Sequence, residues 1–471
     1  MFARFKSFTP KQWIALTILA AADVFVIAIP YYLRNIIPNF NQTLGIREDQ
    51  LANLITIIGI VKLLTQLPGG FLANKYSSRW LLFGACVTTA LISFWFGAAL
   101  MTTGNYTYDN NEGLYIQYAI IWGLWGISST LIFWAPLWKL VSQQATKENQ
   151  GIAYGVVNSF NGIIGFIFVW VLLFLFIKLW YPVVKENPAS NQGVPFSVFV
   201  FILAVFLLAI AVLTLFFVPE KPREKSNKPK TPFTYAKFKS SLFSFWKSIR
   251  NWKLWALAFF IMGMYIFQSV VPFYALQMMT NEYHAPQTLV LILTGLIAYV
   301  LRIFISWIVG IWADKSRSYT LFLIIATTLA LISLAGTILI GYIKSSFVVI
   351  GISSLLFVVI GTCVWAMATL RYAQVNEVHI EKGTYASSVG IMSFIGSSSD
   401  AWFSPILAGI GKHFTTEGAP NPSLQGYRII ILVALSVAFL GFLSGVIVFL
   451  SNTLELKRLG KTDYKWRKLE N

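Results

Sequence analysis

Long apolar runs fill almost the whole chain, broken at short intervals by small clusters of Gly, Pro, Asn and charged residues. A run of roughly 20 apolar residues is enough to cross a bilayer as a helix. Twelve such spans can be read, at about 12–36, 48–73, 79–102, 114–138, 150–178, 195–218, 253–278, 287–313, 319–343, 346–371, 384–411 and 426–451. The first run follows Arg4 and Lys6 as a signal peptide would, but it is too long, contains Asp23 and lacks a clear cleavage site, so it counts as span one. One long polar stretch, from Pro219 to about Asn251, divides the pattern into six spans and six spans. Its first part, with Lys221, Arg223, Lys225, Lys228 and Lys230 among prolines, reads as a solvated connection. Phe233 to Arg250, basic and aromatic, reads as a helix lying on the membrane surface. The pattern predicts an all-α polytopic membrane protein with twelve transmembrane helices. Its parts are a first half at 1–218, a basic linker at 219–252, a second half at 253–451 and a basic tail at 452–471.

The two halves echo each other. Span eight carries Arg302, followed by Gly310, Asp314 and Lys315; subtracting 240 from these numbers gives Lys62, Gly70, Asn74 and Lys75 on span two. A repeat at this spacing predicts two pseudo-symmetric six-helix bundles.

Composition agrees with a membrane protein: 57% of residues are hydrophobic, 16% aromatic and only 11% charged, against about 25% charged in soluble domains. The net charge of +18 could suggest nucleic acid, but its distribution argues otherwise. With both termini inside, 27 of the 36 Lys and Arg residues fall in cytoplasmic segments and seven in outer ones, and the remaining two are Lys62 and Arg302. This bias places both termini in the cytoplasm of a cell whose plasma or inner membrane holds the chain. The excess charge faces anionic lipid, and no nucleic acid partner is expected. Cys86 and Cys363 sit in apolar segments, and His284, His379 and His413 are scattered, so no disulfide framework, metal site or cofactor is expected. No catalytic cluster stands at the membrane interface, which argues against an enzyme.

Two six-span halves, a central basic loop and a repeated Gly-x-x-x-Asp-Lys element resemble the major facilitator superfamily. Its motif is matched by Gly310, Asp314 and Lys315, with Arg317 where a second glycine would stand. The first copy keeps Gly70 and Lys75, has Asn74 in place of the acid and Ser77 in place of the glycine, and places Arg79 one position late. The resemblance implies rocker-type alternating access, with these loops locking helix ends on the cytoplasmic side. Within the superfamily, Arg302-Ile303-Phe304 with Ser306 resembles the arginine-bearing helix of nitrate/nitrite porters. Tyr31-Tyr32-Leu33-Arg34 resembles the end of span one in organophosphate/phosphate antiporters. Both groups carry anions.

Lys62 lies 12 residues before Asn74, and Arg302 12 before Asp314. At 1.5 Å per residue each sits roughly 18 Å in from the helix end, near mid-bilayer. A charge there is costly and marks a functional site by default. Arg offers a planar fork for carboxylate, nitrate or phosphate, and Lys a point charge. The leading expectation is therefore a monomeric secondary transporter whose small anionic substrate bridges Lys62 and Arg302. The alternative is a proton-coupled symporter of a neutral or zwitterionic solute working through Asp23. A third possibility is that both cations are structural, with Asp23 the counter-ion of Lys62 and Asp400 that of Arg302. By the resemblance, spans one, four, seven and ten line the cavity. That adds Trp125, Tyr265, Gln268 and Trp365 as substrate contacts, together with Asn161 of span five.

Overall fold

The computed structural model describes residues 8–37, 40–103, 111–144, 150–176, 193–220, 250–315, 318–340, 346–371, 373–378, 385–415 and 421–460. Nearly all of the surface helix expected at 233–250 and most of the linker lie outside these residues. Among those described there are helices and no strands. This is the solution a bilayer imposes, because every backbone N–H and C=O must be satisfied within the segment.

Among the described residues, ten of the twelve expected spans are single runs long and apolar enough to cross a membrane. The two that fall short are spans two and eleven. Span two is an unbroken helix, Glu48–Lys75, whose interior carries Lys62 and Pro68. Span eleven, expected as one run, is two helices, Tyr385–Gly396 and Ser399–His413. They meet at Ser397 and Ser398, whose hydroxyls donate to the carbonyls of Ser393 and Ile395. Such hydroxyl-to-backbone bonds compete with helix continuation. The break delivers Asp400 into the first turn of the second helix. Span twelve runs further than its apolar core, as Leu424–Arg458.

The chain forms two compact units. The first comprises Met1–Glu220, Phe273–Trp307 and Asp400–Tyr427; the second comprises Lys221–Pro272, Ile308–Ser399 and Arg428–Asn471. In the first, span one (Pro10–Ile27) is wrapped by spans five and six and is almost wholly buried. Its start is set by Thr9, whose side chain forms a capping box with Gln12 just before Pro10. In the second, span seven (Trp252–Ser269) packs on Tyr385–Gly396, and spans nine and ten pair along their length.

Four spans of the first unit change locally to a wider π-helical turn: Ala28–Tyr32 in span one, Thr130–Trp134 in span four, Phe166–Val171 in span five and Leu296–Val300 in span eight. Single π turns inside α-helices recur at functional sites. Each of these lies within a few residues of a side chain described next.

Candidate functional site

Lys62, Arg302, Asp23 and Asp400 all lie in the first unit, and each cation meets an acid from another span. Lys62 Nζ donates to Asp400 Oδ2 at 2.9 Å, with the two side chains 13% and 9% exposed. Arg302 Nη2 stands 3.5 Å from Asp23 Oδ2, with side chains 9% and 2% exposed. This reverses the pairing expected from sequence: Lys62 takes Asp400 rather than Asp23, and Arg302 takes Asp23 rather than Asp400. The reason lies in which helices are neighbours. Span two crosses span eleven, and span eight crosses span five, which packs against the part of span one that carries Asp23.

The repeat relates the two crossings. Asp400 less 240 is position 160, next to Asn161, and Arg302 less 240 is Lys62. So spans two and eleven correspond to spans eight and five. A glycine brings the backbones together at each crossing. A Cβ on Gly59 would lie 2.5 Å from the carbonyl oxygen of Asp400. A Cβ on Gly162 would lie 2.6 Å from Ile303 and 2.9 Å from the carbonyl oxygen of Tyr299. The glycine has changed sides: Tyr299 is the counterpart of Gly59, and Trp402 that of Gly162. Asp23 has no such counterpart, since position 263 is a glycine.

Arg302 is held by more than a carboxylate. Its Nη1 donates to Asn161 Oδ1 and its Nη2 to Asn158 Oδ1 at 2.8 Å. Asn161 Nδ2 in turn donates to Asp23 Oδ2, so one amide bridges acid and base. On its own helix Arg302 is flanked by Tyr299 and Ser306, three residues before and four after. Both are buried, and their hydroxyls meet no hydrogen-bond partner among the described residues. Around Lys62, the Tyr31 ring centroid is 5.9 Å from Nζ. The Tyr31 hydroxyl shares a 2.9 Å hydrogen bond with Ser129. One turn beyond Lys62, Thr65 bonds Thr130.

The other sequence-predicted residues are dispersed. Trp125 is fully buried in an aromatic cluster with Phe96 and Trp122. In the second unit Tyr265 is partly buried, Gln268 Oε1 accepts a 3.5 Å hydrogen bond from Arg371 and Trp365 is buried. Of the motif, Gly70 faces open space, and Arg79 donates to the carbonyl of Leu215 at 3.5 Å. The side chains of Asn74, Lys75, Asp314 and Lys315, with Gly310 and all of Arg317, lie outside the described residues.

At the helix ends beside this motif, acids from elsewhere do the capping. Glu220 accepts from the hydroxyl of Ser77 and the backbone N–H of Ser78 and Arg79 at the start of span three. Lys139 Nζ donates at 2.7 Å to the carbonyl of Ala73 at the end of span two. In the second unit Glu377 accepts from the Ser318 hydroxyl at 2.6 Å and from the N–H of Tyr319 and Thr320 at the start of span nine. Asn452 then donates at 3.1 Å to the Glu377 carbonyl. In the sequence alone Lys139 counts among the cytoplasmic charges and Glu377 among the charges bordering the loop between spans ten and eleven, and nothing marks either of them, or Glu220, as a cap. The register shared by Ser78 and Ser318, 240 apart, is the available sign of a common cap.

A helical bundle with ten helices long and apolar enough to cross a membrane among its described residues, and with ion pairs buried mid-span, defines a polytopic membrane protein. The profile of the Major Facilitator Superfamily matches residues 14–399, and the chain belongs to that superfamily. A Mycoplasma pneumoniae protein described as the uncharacterized protein MG294 homolog is 48% identical over 473 residues, covering 99% of this chain and 98% of its own. The Escherichia coli inner membrane protein YihN is 21% identical, covering 93% of this chain and 96% of its own. Among solved structures, a mutant of the nucleoside transporter NupG superposes with a TM-score of 0.61 at 12% identity, covering 93% of this chain and all of that one. A bacterial homologue of the human lysosomal transporter Spinster gives 0.59 at 15% identity, covering 94% and 98%. At these identities the structures share the fold alone. The protein is thus an integral membrane transporter, not an enzyme, that moves a small-molecule solute across a lipid bilayer by alternating access.

Proposed function

We propose that the solute is a small organic or inorganic anion, and that Arg302 and Lys62 are the cations that receive it. The observation that carries this reading is the stripe on span eight. Tyr299, Arg302 and Ser306 set two buried hydroxyls, unpartnered among the described residues, on either side of a guanidinium. Buried polar groups are nearly always satisfied, so two that are not, beside a fork suited to carboxylate or phosphate, point to an acceptor-rich ligand. Without solute, Asp23 and Asp400 occupy the cations. The solute competes with these carboxylates, so binding exchanges one ion pair for another instead of desolvating a bare charge. The transporter works as a monomer of two six-span halves, 1–218 and 253–451, with the 219–252 linker and both termini in the cytoplasm.

A second reading is supported by the pairing itself: with both cations already neutralised, a neutral or zwitterionic solute moving with protons through Asp23 is also served. Binding isotherms and thermal shifts against phosphate, nitrate and carboxylates, set beside sugars and peptides, separate the two. Arg302→Lys keeps the charge and loses the fork, so anion affinity falls while the protein folds. Arg302→Gln and Lys62→Gln each abolish anion binding, and the double variant is little worse than either, because two groups holding one ligand act as a unit. Arg302→Gln leaves Asp23 buried without its cation, so Arg302→Gln with Asp23→Asn restores folding and separates lost binding from lost protein. Full anion affinity in that pair would overturn the anion reading.

A further inference from the structure

We propose that Asn158 and Asn161 are positioning residues that make Arg302–Asp23 the proton-linked pair, because they keep the guanidinium solvated when Asp23 takes up a proton. This rests on the transport reading for its purpose, since it supplies the charge that an anion would neutralise.

The geometry is specific. Each terminal nitrogen of Arg302 has its own amide oxygen, Asn161 on one and Asn158 on the other. The Asp23 carboxylate is the more distant partner, at 3.5 Å. A buried cation that loses its only acceptor is stranded, at a large cost. Arg302 loses a charged partner but keeps two neutral acceptors. Asn161 cannot exchange its amide ends without breaking both bonds, since its oxygen faces a donor-only group and its nitrogen faces a carboxylate. It therefore holds Asp23 in place in either protonation state: Nδ2 can donate to a carboxylate or to the carbonyl oxygen of the acid. Lys62 differs in that its carboxylate partner lies at 2.9 Å, in direct contact.

The balance is simple. A proton adds to Asp23, Arg302 keeps its charge, and the pair passes from neutral to a single positive charge. An anion that then binds Arg302 restores neutrality, so one proton accompanies one negative charge. The surroundings add little to confuse this titration. Span one carries no other ionisable group between Trp13 and Tyr31, span six carries none over 193–217, and span five contributes Tyr154. Span eight contributes Arg302 and Tyr299, span three Cys86 and, at its end, Arg79, and the end of span four Lys139.

The test uses the full chain, purified and without solute. Infrared spectra taken from neutral to acid pH should show a protonated-carboxyl band that appears reversibly while the protein stays folded and is missing in Asp23→Asn. Asn158 touches Arg302 and not Asp23 through its oxygen, so it is the clean probe. Asn158→Leu makes the cation depend more on the carboxylate, and the band should then require about tenfold more acid, the scale of one hydrogen bond to a charged group. Asn158→Ser, a smaller change, should move the midpoint the same way if the leucine variant fails to fold. No Asp23-dependent band in the folded protein, or one midpoint shared by wild type and both Asn158 variants, would overturn the proposal. Because no solute is used, a failed anion titration would leave this result standing, and the reverse.

Discussion

At the scale of single residues, the site depends on backbone approach as much as on charge. Gly59 stands one turn before Lys62, and any side chain there meets the carbonyl of Asp400. Gly59→Ala should push span eleven away, cost about 1–3 kcal/mol as overpacking does, and weaken the Lys62–Asp400 bond. Gly70→Ala meets nothing within 4 Å and should be neutral or stabilise by up to ~1 kcal/mol through helix propensity. Thermal denaturation of the two variants side by side checks this contrast; equal losses would refute the crossing geometry. The cations and acids were legible in the sequence because ionisable residues inside apolar runs are few. Their partners were not, because pairing depends on which helices cross, and nearness along the chain does not pair Asp23 with Lys62. Asn158 was readable as a residue but not as a ligand of Arg302, since an amide in a helix has no signature of what it faces.

At the scale of elements, the two capping acids should respond to pH in opposite senses. For Glu220, burial works to push the carboxyl up, but hydrogen bonds from Ser77, Ser78 and Arg79 and the charge of Lys139 outweigh it, leaving it below the usual carboxylate value. Its cap is therefore present above the unfolded value and is lost as pH falls through the folded one. For Glu377, burial is the largest influence, and the bonds from Ser318, Tyr319 and Thr320 offset it only in part, so it sits above the usual value. Its contribution is fully present below the unfolded value and is lost as pH rises through the folded one. Measured across the weakly acidic range, the melting temperature of wild type relative to Glu220→Gln should rise with pH, and relative to Glu377→Gln it should fall. The same sign in both would show that the two caps are not held as described. The spans themselves were readable from hydropathy, including the two weakest. The break at Ser397 and Ser398 was not, because a run of serines inside an apolar segment fits a continuous helix equally well until the neighbouring span is known.

At the scale of the whole molecule, the superfamily and its helical architecture followed from counting apolar runs and finding the 240-residue echo, both properties that a bilayer forces into sequence. Orientation rests on charge bias and makes a direct prediction. Cysteines introduced at Ser226 in the linker and at Asn110 between spans three and four should be labelled from opposite sides, the linker from the cytoplasm. Labelling from one side would break the twelve-span topology. The direct ion pair carries a different consequence, for synthesis. Lys62 and Asp400 are 338 residues apart, and at roughly 5–20 residues per second the ribosome needs tens of seconds to make the second after the first. Through that interval span two has a lysine and no carboxylate from span eleven to meet it. Until span eleven leaves the ribosome, the newly made helix carries its lysine without the direct carboxylate contact of the finished fold, with the Tyr31 ring of span one already made beside it. The contact that ties span two to span eleven is thus among the last to form, and a chain truncated before Asp400 should melt at a lower temperature than the full one.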